Sequence, residues 1–210
     1  MQKLKLIAAM IVVTVLCGCA STQRLSDADR TRAKTVTLSA DVKKGNLFLL
    51  APSGANIGLM FGAIGGAAAS GSIVDGQTAF EAFLKANALA IEPIVRDEFE
   101  KALRASGKVA IATPAQANAG LPVINLSVPQ YGFGVTHLLS SNVVPVVQLK
   151  ADMTDSSGKL LWSESERMLP SIASPMESTT WEQLRANPKL IEEDWRKAAR
   201  YLAKKMVDAL

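Results

Sequence analysis

The sequence predicts an α+β domain: an antiparallel or mixed sheet of four to five strands with helices on one face, plus a Gly-rich apolar helical insertion. Three observations carry this. Segments 123–135, 143–153 and 159–168 are strand-length and separated by turn residues, as in a meander. Segments 77–106 and 189–207 repeat apolar residues every three or four positions, the period of amphipathic helices. A single alternating segment, 35–42, precedes them all.

Taken in order, TVTLSADV (35–42) sets Val36, Leu38, Ala40 and Val42 against polar neighbours, the pattern of a half-buried strand. Lys43-Lys44-Gly45-Asn46 then reads as a turn. Asp75-Gly76-Gln77-Thr78 reads as a helix start, with Phe80, Phe83, Leu84, Ile91, Ile94, Val95, Phe99 and Leu103 on the apolar face behind it. Pro93 has no N–H to donate, which predicts a kink or break near residue 90. Gly107 is a C-terminal stop. Lys108–Ala112 is a short strand and 113–120 a loop.

Within the meander, Pro129 and Gly132-Phe133-Gly134 predict a bend in the first strand, and Pro145 predicts an edge or a strand beginning in the second. Asp155-Ser156-Ser157-Gly158 supplies a hairpin loop. Residues 169–185 are polar and irregular, with Trp181 opening a short helix or serving as a contact residue. Asn187 reads as an N-cap followed by Pro188 at the first helical position. Leu190, Ile191, Trp195, Ala198, Ala199, Leu202, Met206 and Val207 form the buried face of the last helix. Early acids (Glu192, Glu193, Asp194) and late Lys204 and Lys205 complement its dipole.

Between the first strand and the first long helix lies the Gly-rich apolar insertion, 45–75, without a charged side chain from Gly45 to Val74 and closed by Asp75. Gly54, Gly58, Gly62 and Gly66 fall every fourth residue within it. On a helix over 53–73 these glycines make one slowly winding groove, bordered by Phe61, with Ile57, Met60 and Ile64 on the far side. Each glycine costs about 1 kcal/mol relative to Ala in a solvated helix, so the row predicts a partner surface. The segment resembles the glycine-zipper segments of outer-envelope lipoproteins. Three arrangements follow: packing against helix 77–106, pairing with copies of itself in or on a membrane, or a loop. The fixed spacing favours a helix, and the small side chains favour self-association.

The chain opens MQKLKLIAAMIVVTVLCGCA: Lys3 and Lys5, then an apolar run from Leu6 to Leu16, then small residues. This is a signal-peptide layout, too short in its apolar part for a membrane span. Leu16-Cys17-Gly18-Cys19 resembles the bacterial lipobox. That resemblance implies cleavage after Gly18 and acylation of Cys19, making 1–18 a lipoprotein signal peptide and Cys19 the point of lipid attachment. Ala20, where Asp marks inner-membrane retention, implies the outer membrane of a Gram-negative host, facing the periplasm. Both cysteines of the chain lie in this window, which excludes a disulfide framework or a Cys-based metal site in the mature chain. Polar, charged 19–34 reads as a lipid-anchored tether, and 35–210 as a single domain.

The element order, with KALRASGKVAI at the end of the long helix, resembles the periplasmic α/β domains of the curli-secretion lipoprotein, the N-terminal domain of TolB and the lipoprotein activators of peptidoglycan synthases. The resemblance is one of architecture and implies no activity.

The formal charge of +4 falls to about +2 once Lys3 and Lys5 leave, and no basic stripe with interleaved aromatics occurs, so nucleic acid is not expected. His137 is the sole histidine; Thr136, Ser140 and Ser141 are the nearby hydroxyls, but no catalytic motif accompanies them. The carboxylates at 97, 98, 100 and 192–194 read as solvated helix faces. No catalytic residue, metal site or cofactor is expected. The leading expectation is a non-enzymatic accessory or assembly lipoprotein, held to the membrane by its lipid, able to form homo-oligomers and to meet other envelope proteins. The rival is a monomeric periplasmic binding or regulatory module with the Gly-rich segment as an internal packing helix.

Overall fold

The computed structural model describes residues 22–52, 56–62, 75–113, 116, 120–137, 139–171 and 174–210. Its elements run α1 (Asp27–Arg32), β1 (Thr35–Leu50), α2 (Ile57–Gly62), α3 (Gly76–Ala86), α4 (Ile91–Ser106), β2 (Ala110–Ile111), β3 (Val123–Val135), β4 (Asn142–Thr154), β5 (Leu160–Met168), β6 (Thr179–Thr180), α5 (Trp181–Ala186) and α6 (Lys189–Asp208). The fold is α+β. One curled sheet has the order β2-β1-β3-β4-β5, with β6 added beside β4. β1 pairs in parallel with β2 and β3, while β3-β4-β5 is the antiparallel meander. A parallel β1–β3 pair needs a crossover, and α3 and α4 supply it.

The sheet's lower half alternates cleanly. On β4, Leu149, Ala151 and Met153 are buried while Gln148, Lys150 and Asp152 are partly exposed. Helices α4 and α6 pack together over the buried face, α4 against β1 and α6 against β4 and β5. In the upper half both faces are covered, and Val143 to Val147 are buried without a break. There a Cβ on Gly134 would stand 2.9 Å from Pro170 and 3.4 Å from Phe48, so the chain around Pro170 closes the outer face. The uninterrupted VVPVV of β4 is the sequence mark of such two-sided burial.

Local chemistry explains the boundaries. Asp75 caps α3 by accepting from the Gln77 and Thr78 N–H groups. The predicted break near residue 90 occurs: α3 ends at Asn87, Ala88 takes φ 53°, and Pro93 sits in the first turn of α4, where its missing N–H removes no bond. Gly107 ends α4 at φ 63°. Thr180 and Gln183 form a capping box at the start of α5.

Several expectations are corrected. Lys43–Asn46 is no turn: β1 continues to Leu50, so the strand occupies the first residues assigned to the 45–75 insertion. Gly45 is required because a Cβ there would strike the Pro129 backbone, where the β3–β4 ladder shifts register. Asn187 ends α5, and Pro188 takes the N-cap place of α6. Pro145 lies on an inner strand, opposite Phe133, in the gap between the β6 pairing at Val143 and the β5 pairing at Val147. Trp181 opens α5 as expected, and is core, 2% exposed, rather than a contact residue.

Residues 22–34 are not a free tether. Ser26 caps α1, and Leu25 and Ala33 join the hydrophobic core. The core itself is rich in rings: Phe61, Phe80, Phe83, Phe133, Trp181 and Trp195 form a chain of edge-to-face and stacked contacts with centroids 4.9–6.3 Å apart. Such pairs contribute about 0.5–1.5 kcal/mol each beyond the burial of their area.

Candidate functional site

Cys19, the expected acylation site, lies outside the described residues, which begin at Thr22. Gln23 exchanges two backbone hydrogen bonds with Ser163 on the outer edge of β5, at 2.9 and 3.0 Å. Its side-chain amide donates to the Leu160 carbonyl at 2.9 Å. Further on, the Ser26 hydroxyl donates to Asp29 at 2.6 Å, Lys159 stands 3.8 Å from Asp29, and Arg30 donates to the Leu210 carbonyl at 2.7 Å. The N-terminal segment is therefore bound to β5, to the β4–β5 hairpin and to the chain end.

Of the glycine row, Gly54 and Gly66 lie outside the described residues, as does Ile64. Gly58 and Gly62 are on α2. Ile57, Gly58 and Phe61 are buried, and Phe61 packs within 4.9 Å of both Phe80 and Phe83 on α3. A Cβ on Gly76 would come within 3.1 Å of Ile57, so the close approach of α2 and α3 uses Gly76. A Cβ on Gly62 would meet nothing within 4 Å, and Leu59 is 74% exposed. Among the described residues, no helix is long and apolar enough to cross a membrane.

A cleft of about 500 Å³ opens between α3, α4 and the sheet, lined by Lys44, Glu81, Lys85, Glu92 and Tyr131 over Leu84, Ile91 and Trp195. Lys44 stands 3.5 Å from Glu92 and lies over the Tyr131 ring at 5.9 Å. Burial pushes the Tyr131 phenol up. These groups can bind polar matter but hold no activated nucleophile.

Helices α4 and α6 carry two buried carboxylates that were expected to be solvated, Glu98 in the seam between them and Asp194 on α6 near Lys197 and Glu177. Glu98 is 1% exposed and accepts from Lys101 (2.8 Å), Arg196 (3.2 Å) and Arg200 (2.9 Å). Burial alone would raise its carboxyl, but hydrogen bonds from Arg200, Lys101 and Arg196 outweigh this and hold it at about 2. Asp194 is 8% exposed; burial raises it to about 6, opposed by Lys197 and reinforced by Glu193 and Glu177. A signal for both existed. Position 98 continues the stripe 91, 94, 95, 99, and position 194 continues 191, 195, 198.

His137 is exposed, and the Ser140 hydroxyl is engaged with the Asn142 backbone as donor and acceptor, so the two do not form a nucleophile–base pair. Among the described residues, no three His, Cys, Asp or Glu side chains gather as a metal site.

No protein-family model matches the chain, and no curated protein matches its sequence. Its fold is similar to the PelC dodecamer from Paraburkholderia phytofirmans, at 15% identity over 90% of this chain and 94% of that one, with a TM-score of 0.40. Protein XCC0632 from Xanthomonas campestris, of family DUF330, is 13% identical over 82% of this chain and 92% of that one, with a TM-score of 0.36. Lipoprotein GNA1162 from Neisseria meningitidis is 19% identical over 79% and 97%, with a TM-score of 0.25.

Proposed function

We propose that this chain is an outer-membrane lipoprotein facing the periplasm, acylated at Cys19, that acts as a non-enzymatic accessory or assembly module. The observation that carries the reading is the Leu16-Cys17-Gly18-Cys19 sequence, with both cysteines of the chain in one processing window. Binding to other envelope proteins and self-association through the glycine row are the finer parts of the proposal. Gly62, with open space above it, is the described glycine available to a second copy.

The burial of Ile57, Gly58 and Phe61 favours the monomeric binding module, in which α2 is an internal packing helix. Gly62→Leu separates the two: it abolishes oligomers of detergent-extracted protein under the first reading and leaves a single species unchanged under the second. The anchor itself is tested by mass spectrometry of the mature N-terminus. Acyl groups on Cys19, lost together with membrane fractionation in Cys19→Ser, support the proposal; a bare thiol on a freely soluble chain refutes it.

A further inference from the structure

The docking of residues 22–34 has a geometric consequence that rests on acylation of Cys19. Cys19 is four residues from Gln23, and a fully extended chain spans at most about 3.5 Å per residue, so the two lie within about 14 Å. A body of this length has a radius of gyration of about 16 Å. A polar tether over 19–34 would let the body turn freely below the bilayer. A chain fixed to β5 at Gln23 does not.

We infer that the protein rests on the bilayer surface by one side, formed by α1 and the β5 edge, and that this side takes anionic phospholipid headgroups. Arg24 and Arg32 are exposed there, and the side chains of Arg30 and Lys159 are 51% and 59% exposed. The acids of the same side are already engaged: Asp27 with Arg30, Asp29 with Ser26 and Lys159, and Asp155 with the Ser157 and Lys159 N–H groups of its own hairpin. Asp29 is buried while Asp27 is fully exposed, so the exposed cations of this side outnumber its exposed acids, which fits a negatively charged surface. The opposite side follows from the sheet order. Ser163 is level with Asp152 and Asn125, and so with the β1 irregularity at residues 39–41. Those residues are four strand spacings from Gln23, about 19 Å farther from the anchor.

The test uses the acylated full chain in vesicles of phosphatidylethanolamine and phosphatidylglycerol, some lipids carrying a headgroup quencher. With Cys17 removed and Cys19 acylated, an introduced cysteine is the sole free thiol. Fluorophores go on Ala28→Cys, on α1, and Ala40→Cys, on the far side; both residues are exposed. Strong quenching at 28 and little at 40 is expected, with relief at 28 when eight Gly/Ser residues are inserted after Ser21. Replacing Arg24, Arg32 and Lys159 together by Gln should also reduce quenching at 28. Equal quenching at 28 and 40 in protein that is acylated and floats with the vesicles overturns this inference alone. Quenching at 28 that survives the insertion overturns the short chain to Cys19 as the cause of the orientation, and quenching that the triple Gln variant leaves unchanged overturns the headgroup contact. Protein without acyl mass on Cys19 overturns the lipoprotein reading as well.

Discussion

Residues 22–34 and residues 45–62 exchange the roles their compositions suggest. The first stretch is polar and charged, the make-up of a linker, yet it caps a helix, pairs with a strand and buries Leu25 and Ala33. The second is uncharged and rich in glycine, the make-up of a separate membrane-seeking insertion, yet its first residues complete β1, and Ile57 and Phe61 enter the core. Composition averages over a segment, whereas docking depends on a few positions. Two apolar side chains and one strand bridge help hold a mostly polar stretch of thirteen residues, and Ile57 and Phe61 fix α2.

The largest effect expected from this contrast is at Gly45. If it were a turn glycine, Gly45→Val would cost well under 2 kcal/mol. Packed on the Pro129 backbone, it should cost more than about 3 kcal/mol or prevent folding, read as loss of the cooperative transition. Phe61→Ala follows, at about 3–5 kcal/mol in chemical denaturation of the monomer; a helix that served only a second copy would leave the monomer unchanged. Leu25→Ala should then cost about 2–3 kcal/mol, where a tether residue would cost nothing measurable.

The smaller effects are electrostatic and sharpen the same lesson on α4 and α6. Glu98 is depressed from 4.5 to about 2, so its contribution is complete above about 4.5 and lost as pH falls through 2. With its partners partly exposed, Glu98→Gln should cost about 2 kcal/mol at pH 7 and flatten the acid limb of stability against pH. Asp194 is raised from 3.8 to about 6, so its contribution is complete below 3.8 and lost as pH rises through 6. Asp194→Asn should therefore stabilise by about 1–2 kcal/mol at pH 7 and have little effect at pH 4, measured by thermal melts at both values.

Much of the architecture was legible because it rests on period and punctuation. The bounds of β3, the β4–β5 hairpin, the break at residues 87–90 and the buried stripe of α6 follow from apolar spacing, Gly107, Pro93 and the 155–158 loop. What failed to show were contacts between distant residues. Gly45 meets Pro129, Gln23 meets Ser163, and Glu98 meets Arg196 and Arg200, each pair more than 80 positions apart. Turn chemistry and charge runs read locally point the wrong way in all three. Only the stripe positions of Glu98 and Asp194 carried a local hint, a charged residue where the helix period calls for an apolar one. The anchor was legible as a motif, and the surface it would press against the membrane became visible only once residues 22–34 were placed.

The most direct measurement is amide hydrogen exchange in the processed body, read at Gln23 and Ser163. Docking predicts that both amides, each donating to the other's carbonyl, exchange together and far more slowly than an unstructured chain. Exchange of the Gln23 amide at the unstructured rate, while the interior strands stay protected, would show that the N-terminal segment is free and would contradict it.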